Sequence, residues 1–437
     1  MSREAPDAAR LAAAEKFIEQ EDGAAHRLKG PLAVALTGAL AAVSLFHLYA
    51  AVDIVSAPWL RGLHVASMLA LLFLTVPVAA RVRDRVASWD WLFAFLAVGS
   101  IGWFLRDWDG AADRAIDPEF WDVVAGGVLI LLVLEAVRRT SGWILPGVVI
   151  LFLAYAFVGP ALPPPWTHKG YPLDRLVGHM AMTMEGIFGA PIDVCATLIV
   201  LFTVYGAILQ ASGAGQFFID FALSVMGRRR GAPGRAVVLG SFLLGGPSGS
   251  GVATTVTLGS VAYPLLERAG YTKEAAGGLL AAGGLGAILS PPVLGAAAFL
   301  IAEFLKISYL DVIRMAVIPT ILFYLSLFVM VELDARRFHS AAVAINADRP
   351  WTLIRRHGYH FISLVAVIVF MVAGFSPMLS VFWATVLALG ASYLRRDTAL
   401  TPRRLVGALA EGSRGVLGVA ATCAAAGLIV GVVTLTG

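Results

Sequence analysis

Charge is what this chain most lacks. Only 14% of its 437 residues are Asp, Glu, Lys or Arg, against 59% hydrophobic, and the mean hydropathy is +0.81. A soluble chain carries about 25% charged residues, so a water-exposed globular class is excluded and an integral membrane protein is indicated. Cysteine is nearly absent. Cys195 and Cys423 both lie in apolar segments, which excludes a disulfide or thiolate-metal framework and leaves two small core residues. No cleavable secretory leader is expected: residues 1–29 are polar, with Glu15, Lys16, Glu19, Glu21 and Asp22 in an expected surface helix, and no short apolar core precedes a small-residue cleavage site there.

What the chain has instead is long apolar runs. Windows of about 20 apolar residues fall near 32–52, 62–80, 90–105, 120–137, 143–160, 192–211, 312–333, 359–375 and 378–394, with irregular apolar stretches at 236–264 and 275–302. The net charge of +4 comes from arginine-rich loops, which act as topology signals and imply no nucleic-acid partner. Arg27 and Lys29, Arg81/Arg83/Arg85, Arg138/Arg139, Arg228/Arg229/Arg230/Arg235, Arg336/Arg337 with Arg355/Arg356, and Arg395/Arg396 with Arg403/Arg404 are expected to be cytoplasmic. The N-terminus is then cytoplasmic too. The Trp residues at 89, 91, 103, 121, 143 and 166 read as interfacial anchors.

Alternation holds only if 236–264 enters from the cytoplasm and returns to it, since Arg235 and Arg268/Lys273 flank it. That predicts a re-entrant hairpin with Gly245-Gly-Pro-Ser-Gly-Ser-Gly251 at its tip. Backbone that glycine and proline leave unpaired is tolerated at membrane depth only inside protein or facing a wet cavity. Gly246, Ser248, Gly249, Ser250, Thr254 and Thr255 offer hydroxyls and carbonyls, the neutral oxygens that hold hard monovalent cations. A second breaker cluster holds Gly284, Gly286, Ser290, Pro291 and Pro292, where tandem proline frees carbonyls. Helix packing through small residues is the plainer reading of each glycine; the two clusters together read as a substrate and ion site. No carboxylate, lysine or histidine is expected mid-span, because Glu135, Asp193, Glu303, Glu332 and Asp334 fall near span ends. A proton relay needs buried titratable groups, so Na+ stands ahead of H+ as coupling ion. No other cofactor and no transition metal is expected, and Asp220 has no assigned role.

Arg175-Leu-Val-Gly178 recurs as Arg404-Leu-Val-Gly407, and Gly186-Ile-Phe-Gly189 as Gly415-Val-Leu-Gly418. Each copy opens an amphipathic segment leading into an apolar one (192–211 and roughly 419–437). The charge map starts one copy outside and the other inside, as in an inverted-topology repeat. Gly437 corresponds to Ile208, ahead of the hairpin, so the second repeat is expected to be incomplete and the chain truncated.

Ser248-Gly-Ser-Gly-Val-Ala-Thr-Thr-Val-Thr257, Pro264-Leu-Leu-Glu-Arg-Ala-Gly-Tyr271, Pro291-Pro-Val-Leu-Gly-Ala-Ala-Ala-Phe299 and Ala302-Glu-Phe-Leu305 resemble the large membrane subunit of TRAP transporters (tripartite ATP-independent periplasmic transporters), nearest to the TAXI-type fused permeases. The resemblance implies an all-α polytopic membrane protein of the inverted-repeat elevator type. Its expected parts are a cytoplasmic segment 1–29, a small-subunit-like four-helix domain 30–140, a connecting helix and loop 141–170, and a first large-subunit repeat 171–335. The remainder, 336–437, holds linker, scaffold helices and the start of the second repeat. The implied function is Na+-driven import of a small organic anion across the bacterial inner membrane, with substrate delivered by a periplasmic binding protein. The family usually has Asn where this chain has Thr254, and Gly-Gly-Gln where it has Gly286-Ala-Ile288.

Three rivals stand beside that reading. Gly246-Pro-Ser-Gly249 fits the Gly-x-Ser-Gly pattern of a rhomboid-type serine protease, which needs a His base near Ser248; His339, His357 and His360 are the later candidates. A non-transporting or split fragment is the second. A two-hairpin Na+/carboxylate symporter without a binding protein is the third. Within the transporter reading, Ser250→Ala is expected to weaken the Na+ dependence of uptake.

Overall fold

The computed structural model describes residues 26, 28–78, 85–227, 231–248, 251–337 and 349–437, leaving aside the side chains at 247, 248 and 253. The expected surface helix in 1–29, most of the Arg81/Arg83/Arg85 loop, Arg228–Arg230 and His339 lie outside these residues. Every regular element among the described residues is a helix, the form that satisfies its own backbone in lipid. Among the described residues, eight helices are long and apolar enough to cross a membrane: Pro31–Ala50, Ala57–Thr75, Ser88–Leu105, Phe120–Ser141, Ile144–Ala161, Ala190–Ala211, Tyr309–Arg337 and Pro402–Thr436. The chain is an all-α, multi-pass membrane protein. The window at 359–375 is a bent pair, Pro350–His357 and His360–Val372, angled by 72°. That at 378–394 is the shorter apolar helix Pro377–Ser392.

Two compact units emerge, Met1–Val200 with Ser413–Gly437, and Leu201–Gly412. In the first, the helices Pro31–Ala50, Ala57–Thr75, Ser88–Leu105 and Phe120–Ser141 pack against one another, burying Leu40, Leu72, Phe73, Ile101, Leu129 and Val133. Among the described residues, the buried charges of this unit, Asp90, Asp122 and Arg139, are paired, since an unpaired buried charge is strongly destabilising. Arg139 is enclosed by Asp90 at 2.7 Å, Glu135 at 2.9 Å and the Val76 carbonyl at 2.9 Å. Asp122 accepts from Trp103 Nε1 at 2.8 Å and Arg114 Nε at 3.0 Å.

One expectation is corrected here. The span placed at 62–80 begins at Ala57, because Arg61 is neutralised within the helix by Asp193. His64 therefore lies well inside a span, fully buried, its Nδ1 2.8 Å from Nε2 of His47. The two repeat copies also differ in form. The first breaks after Leu173–Met182 and resumes at Ala190. The second is one continuous helix, Pro402–Thr436, where an amphipathic and a separate apolar segment are expected. Thr183 makes the difference: its hydroxyl accepts from the Glu185 backbone N–H at 3.2 Å and donates to the His179 carbonyl at 2.7 Å. That local bonding competes with helix continuation, and Gly412 occupies the matching position in the second copy.

In the second unit, Ala232–Ser248 and Gly251–Arg268 form a helical hairpin packed on Lys273–Leu289. The arms contain 17 and 18 residues, and neither is among the eight candidate spans. The first arm remains helical through Gly246 and Pro247, so the interruption is narrower than the glycine run suggests. Lys273–Leu289 stops at Ser290, and Ala296–Leu305 resumes after the Pro291-Pro292 pair, which is cis.

Candidate substrate and ion site

The two breaker clusters meet in space. A methyl carbon on Gly245 would lie 2.6 Å from Cα of Ala287, so only glycine lets the first hairpin arm approach Lys273–Leu289 this closely. One residue on, Gly246 faces the break, with its Cβ direction 3.2 Å from the Pro291 carbonyl oxygen. The second arm is as tightly docked. A methyl on Gly284 would overlap the Thr255 hydroxyl and lie 2.5 Å from the Gly251 carbonyl oxygen. Thr255 donates to that carbonyl at 2.9 Å and approaches the Leu280 carbonyl at 3.4 Å. Thr254 is fully buried. Gly249 and Ser250 lie outside the described residues, as does the side chain of Ser248.

Around the break, hydroxyls on the Tyr309–Arg337 helix take up what proline leaves unpaired. Tyr309 donates to the Pro292 carbonyl and accepts from Leu294 N–H, both at 3.1 Å. Thr320 donates to the Leu289 carbonyl at 2.7 Å. Ser290 donates to the Gly286 carbonyl at 2.8 Å, and its oxygen is 2.8 Å from the Tyr324 hydroxyl. Ser241, on the first hairpin arm, is a further partner of that phenol. Ser241, Ser290 and Thr320 are all buried.

Every expected site residue whose side chain is described falls in this one region: Gly246, Thr254, Thr255, Gly284, Gly286, Ser290, Pro291 and Pro292. Ser241, Tyr309, Thr320 and Tyr324 escaped the sequence reading. A signal existed for two of them, since Thr320 and Tyr324 follow Pro319 four residues apart and so share one helix face. The assembly contains no Asp, Glu, Lys, Arg or His among the residues that build it. Its resources are neutral oxygens and four helix ends: the C-termini of Ala232–Ser248 and Lys273–Leu289, and the N-termini of Gly251–Arg268 and Ala296–Leu305. C-terminal ends favour a cation and N-terminal ends an anion. Among the described histidines, His357 and His360 pack at a tilt against the Phe217 ring, an aromatic packing role.

Four of the five carboxylates expected near span ends are ion-paired: Asp193 with Arg61, Glu135 with Arg138 and Arg139, Glu332 with Arg235, and Glu303 with Lys306.

Residues 128–437 match the family model described as Tripartite ATP-independent periplasmic transporter, DctM component. The chain is 31% identical over 109 residues to the 2,3-diketo-L-gulonate TRAP transporter large permease protein YiaN of Escherichia coli, covering 25% of this chain and 26% of that protein. It is 29% identical over 167 residues to the C4-dicarboxylate TRAP transporter large permease protein DctM of Pseudomonas aeruginosa, 38% of this chain and 39% of that protein. The DctM protein of Rhodobacter capsulatus is 34% identical over 91 residues, 21% of each chain. The chain thus spans well under half the length of these relatives.

Proposed function

Since the chain belongs to the DctM-component family of tripartite ATP-independent periplasmic transporters, we propose that it is the permease of a secondary transporter importing a small organic anion with Na+. The observation that carries this is the meeting of the hairpin tip and the Ser290–Gly295 break at Gly246 and Pro291. Na+ is held by carbonyl and hydroxyl oxygens from Gly246, Ser248, Gly249, Ser250, Thr254, Thr255, Gly284, Gly286, Ser290, Pro291 and Pro292, with the C-terminal helix ends adding negative potential. A carboxylate sits toward the N-terminal ends of Gly251–Arg268 and Ala296–Leu305. The absence of charged side chains from the assembly supports a monovalent coupling ion over a proton relay. Relatives whose names specify C4-dicarboxylates and 2,3-diketo-L-gulonate support a carboxylate substrate, delivered by a periplasmic binding protein.

Three candidate spans, Pro31–Ala50, Ala57–Thr75 and Ser88–Leu105, precede the matched region, and a fourth, Phe120–Ser141, overlaps its start. That supports a fused small-subunit-like part of the TAXI type ahead of an elevator-type large part. The arginine distribution supports a cytoplasmic N-terminus in the bacterial inner membrane. The test is uptake of a radiolabelled carboxylate panel into proteoliposomes with the cognate binding protein. Accumulation that needs both an inward Na+ gradient and the binding protein supports the reading. Binding-protein-independent uptake, or uptake driven equally well by a proton gradient without Na+, overturns it.

A further inference from the structure

The cytoplasm-directed arginines of the second unit do not all serve ion pairs within the protein. Arg395 pairs with Asp397 at 3.2 Å, and Arg404 donates to the carbonyls of Asp397 and Ala399. Arg349, Arg355, Arg396 and Arg403 are exposed and hold no ion pair among the described residues. Two links bring their segments together. The Tyr359 hydroxyl is 3.0 Å from that of Thr398, tying the bend of the Pro350–His357/His360–Val372 pair to the loop before Pro402. His357 lies within the electrostatic reach of Arg395, Asp397, Arg356 and Asp220. The only carboxylates in this group are Asp220 and Asp397, and Asp220 accepts from Gln216 at 2.9 Å.

The short helix Pro350–His357 has the pattern of an element lying in a membrane surface. Leu353 is buried, and the helix packs on Ala214–Met226. Trp351 and Ile354 are exposed beside Arg355 and Arg356. The 72° bend sets it across the apolar helix His360–Val372, so that when the latter runs through lipid the former runs along the boundary. Tyr393 and Leu394 are exposed next to Arg395 and Arg396. Aromatic and aliphatic groups beside exposed cations match the depth at which acyl chains give way to headgroups. The Arg355 guanidinium stands 5.1 Å over the Trp351 ring, which holds it in place while leaving its N–H fork unused.

We propose that this surface binds the headgroups of anionic phospholipids of the adjoining leaflet. Guanidinium forks fit a phosphodiester in bidentate fashion, and the exposed Trp351, Ile354 and Leu394 enter the acyl boundary beneath it. The occupant is a lipid, because only a lipid satisfies both the phosphate-seeking cations and the apolar groups interleaved with them.

The experiment measures association of spin-labelled phosphatidylglycerol and phosphatidylcholine with the protein in reconstituted vesicles. The account predicts a several-fold preference for phosphatidylglycerol that weakens at high salt. Arg355→Gln/Arg396→Gln/Arg403→Gln removes most of that preference, bringing phosphatidylglycerol close to phosphatidylcholine. The corresponding triple Lys variant retains most of it, and an unchanged elution volume and melting temperature in detergent show that both variants are folded. No preference in the unmodified protein, or an undiminished preference in the Gln variant, overturns the proposal. So does competition by inorganic phosphate as effective as that by the lipid, which would assign the surface to a soluble anion.

Discussion

Two helix breaks in this molecule are closed by opposite chemistries. The turn between Met182 and Ala190 is closed by a cation: Arg61 donates to the Phe188 carbonyl and to Asp193, both at 2.9 Å. The break between Leu289 and Ala296 is closed by neutral groups, the hydroxyls of Tyr309, Thr320, Ser290 and Tyr324 together with the Gly295 N–H, which donates to the Ile288 carbonyl at 2.8 Å. A guanidinium clamp uses up the local carbonyl and carboxylate and leaves the turn electrically complete, with nothing for a ligand to add. Hydroxyls satisfy the freed backbone groups without neutralising the helix ends, so the second break keeps its partial charges. The difference separates a break that shapes the scaffold from one suited to an ion.

The first way to test that separation is to damage the charged break. Arg61→Met leaves Asp193 and the Phe188 carbonyl unpaired in a largely enclosed position and is expected to cost about 3 kcal/mol, read as a lower denaturation midpoint. The surviving folded protein should keep its normal half-saturating Na+ concentration for uptake. A changed Na+ response would erase the distinction between the breaks. Next comes Gly284→Ala, whose methyl meets both Thr255 and the Gly251 backbone; overpacking there should cost about 2 kcal/mol and depress uptake by separating the second hairpin arm. Tyr309→Phe leaves the Pro292 carbonyl and Leu294 N–H without their shared partner, and about 2 kcal/mol of stability should go, measurable in the same unfolding assay. The smallest effect is at Gly278, on the helix of Gly284, where nothing lies within 4 Å of an added methyl. Gly278→Ala should stabilise by up to about 1 kcal/mol, and a loss there would mean that packing pressure extends along the whole helix.

Much of this was legible in the chain because lipid enforces simple rules. Apolar windows located seven of the long spans, and Pro-Pro marked the stop of Lys273–Leu289, whereas the first hairpin arm runs on through Gly246 and Pro247. The misses have physical causes. Arg61 looked like a loop residue, so the helix start at Ala57 was hidden until its partner Asp193, far off in sequence, was in place. The second repeat copy read as an amphipathic segment followed by a separate apolar one, yet Pro402–Thr436 is continuous, and at Gly412 the missing side chain admits the close approach of Val204. The roles of Tyr309 and Thr320 depend on the register of one helix against another, which no local pattern encodes. At the site, the residue types were visible, but the pairing of Gly246 with Pro291 and of Thr255 with Gly284 was not.

The most direct test of the central claim is a Na+ titration of the melting temperature of the purified protein, with choline at matched ionic strength. A site that binds Na+ only in the folded state adds about 2.7 kcal/mol at one hundred times its Kd. The account predicts a saturable rise specific to Na+, shifted to several-fold higher concentration in Ser290→Ala and unshifted in Arg61→Lys. Equal stabilisation by Na+ and choline, or a Ser290→Ala titration superimposable on that of the unmodified protein, would contradict it.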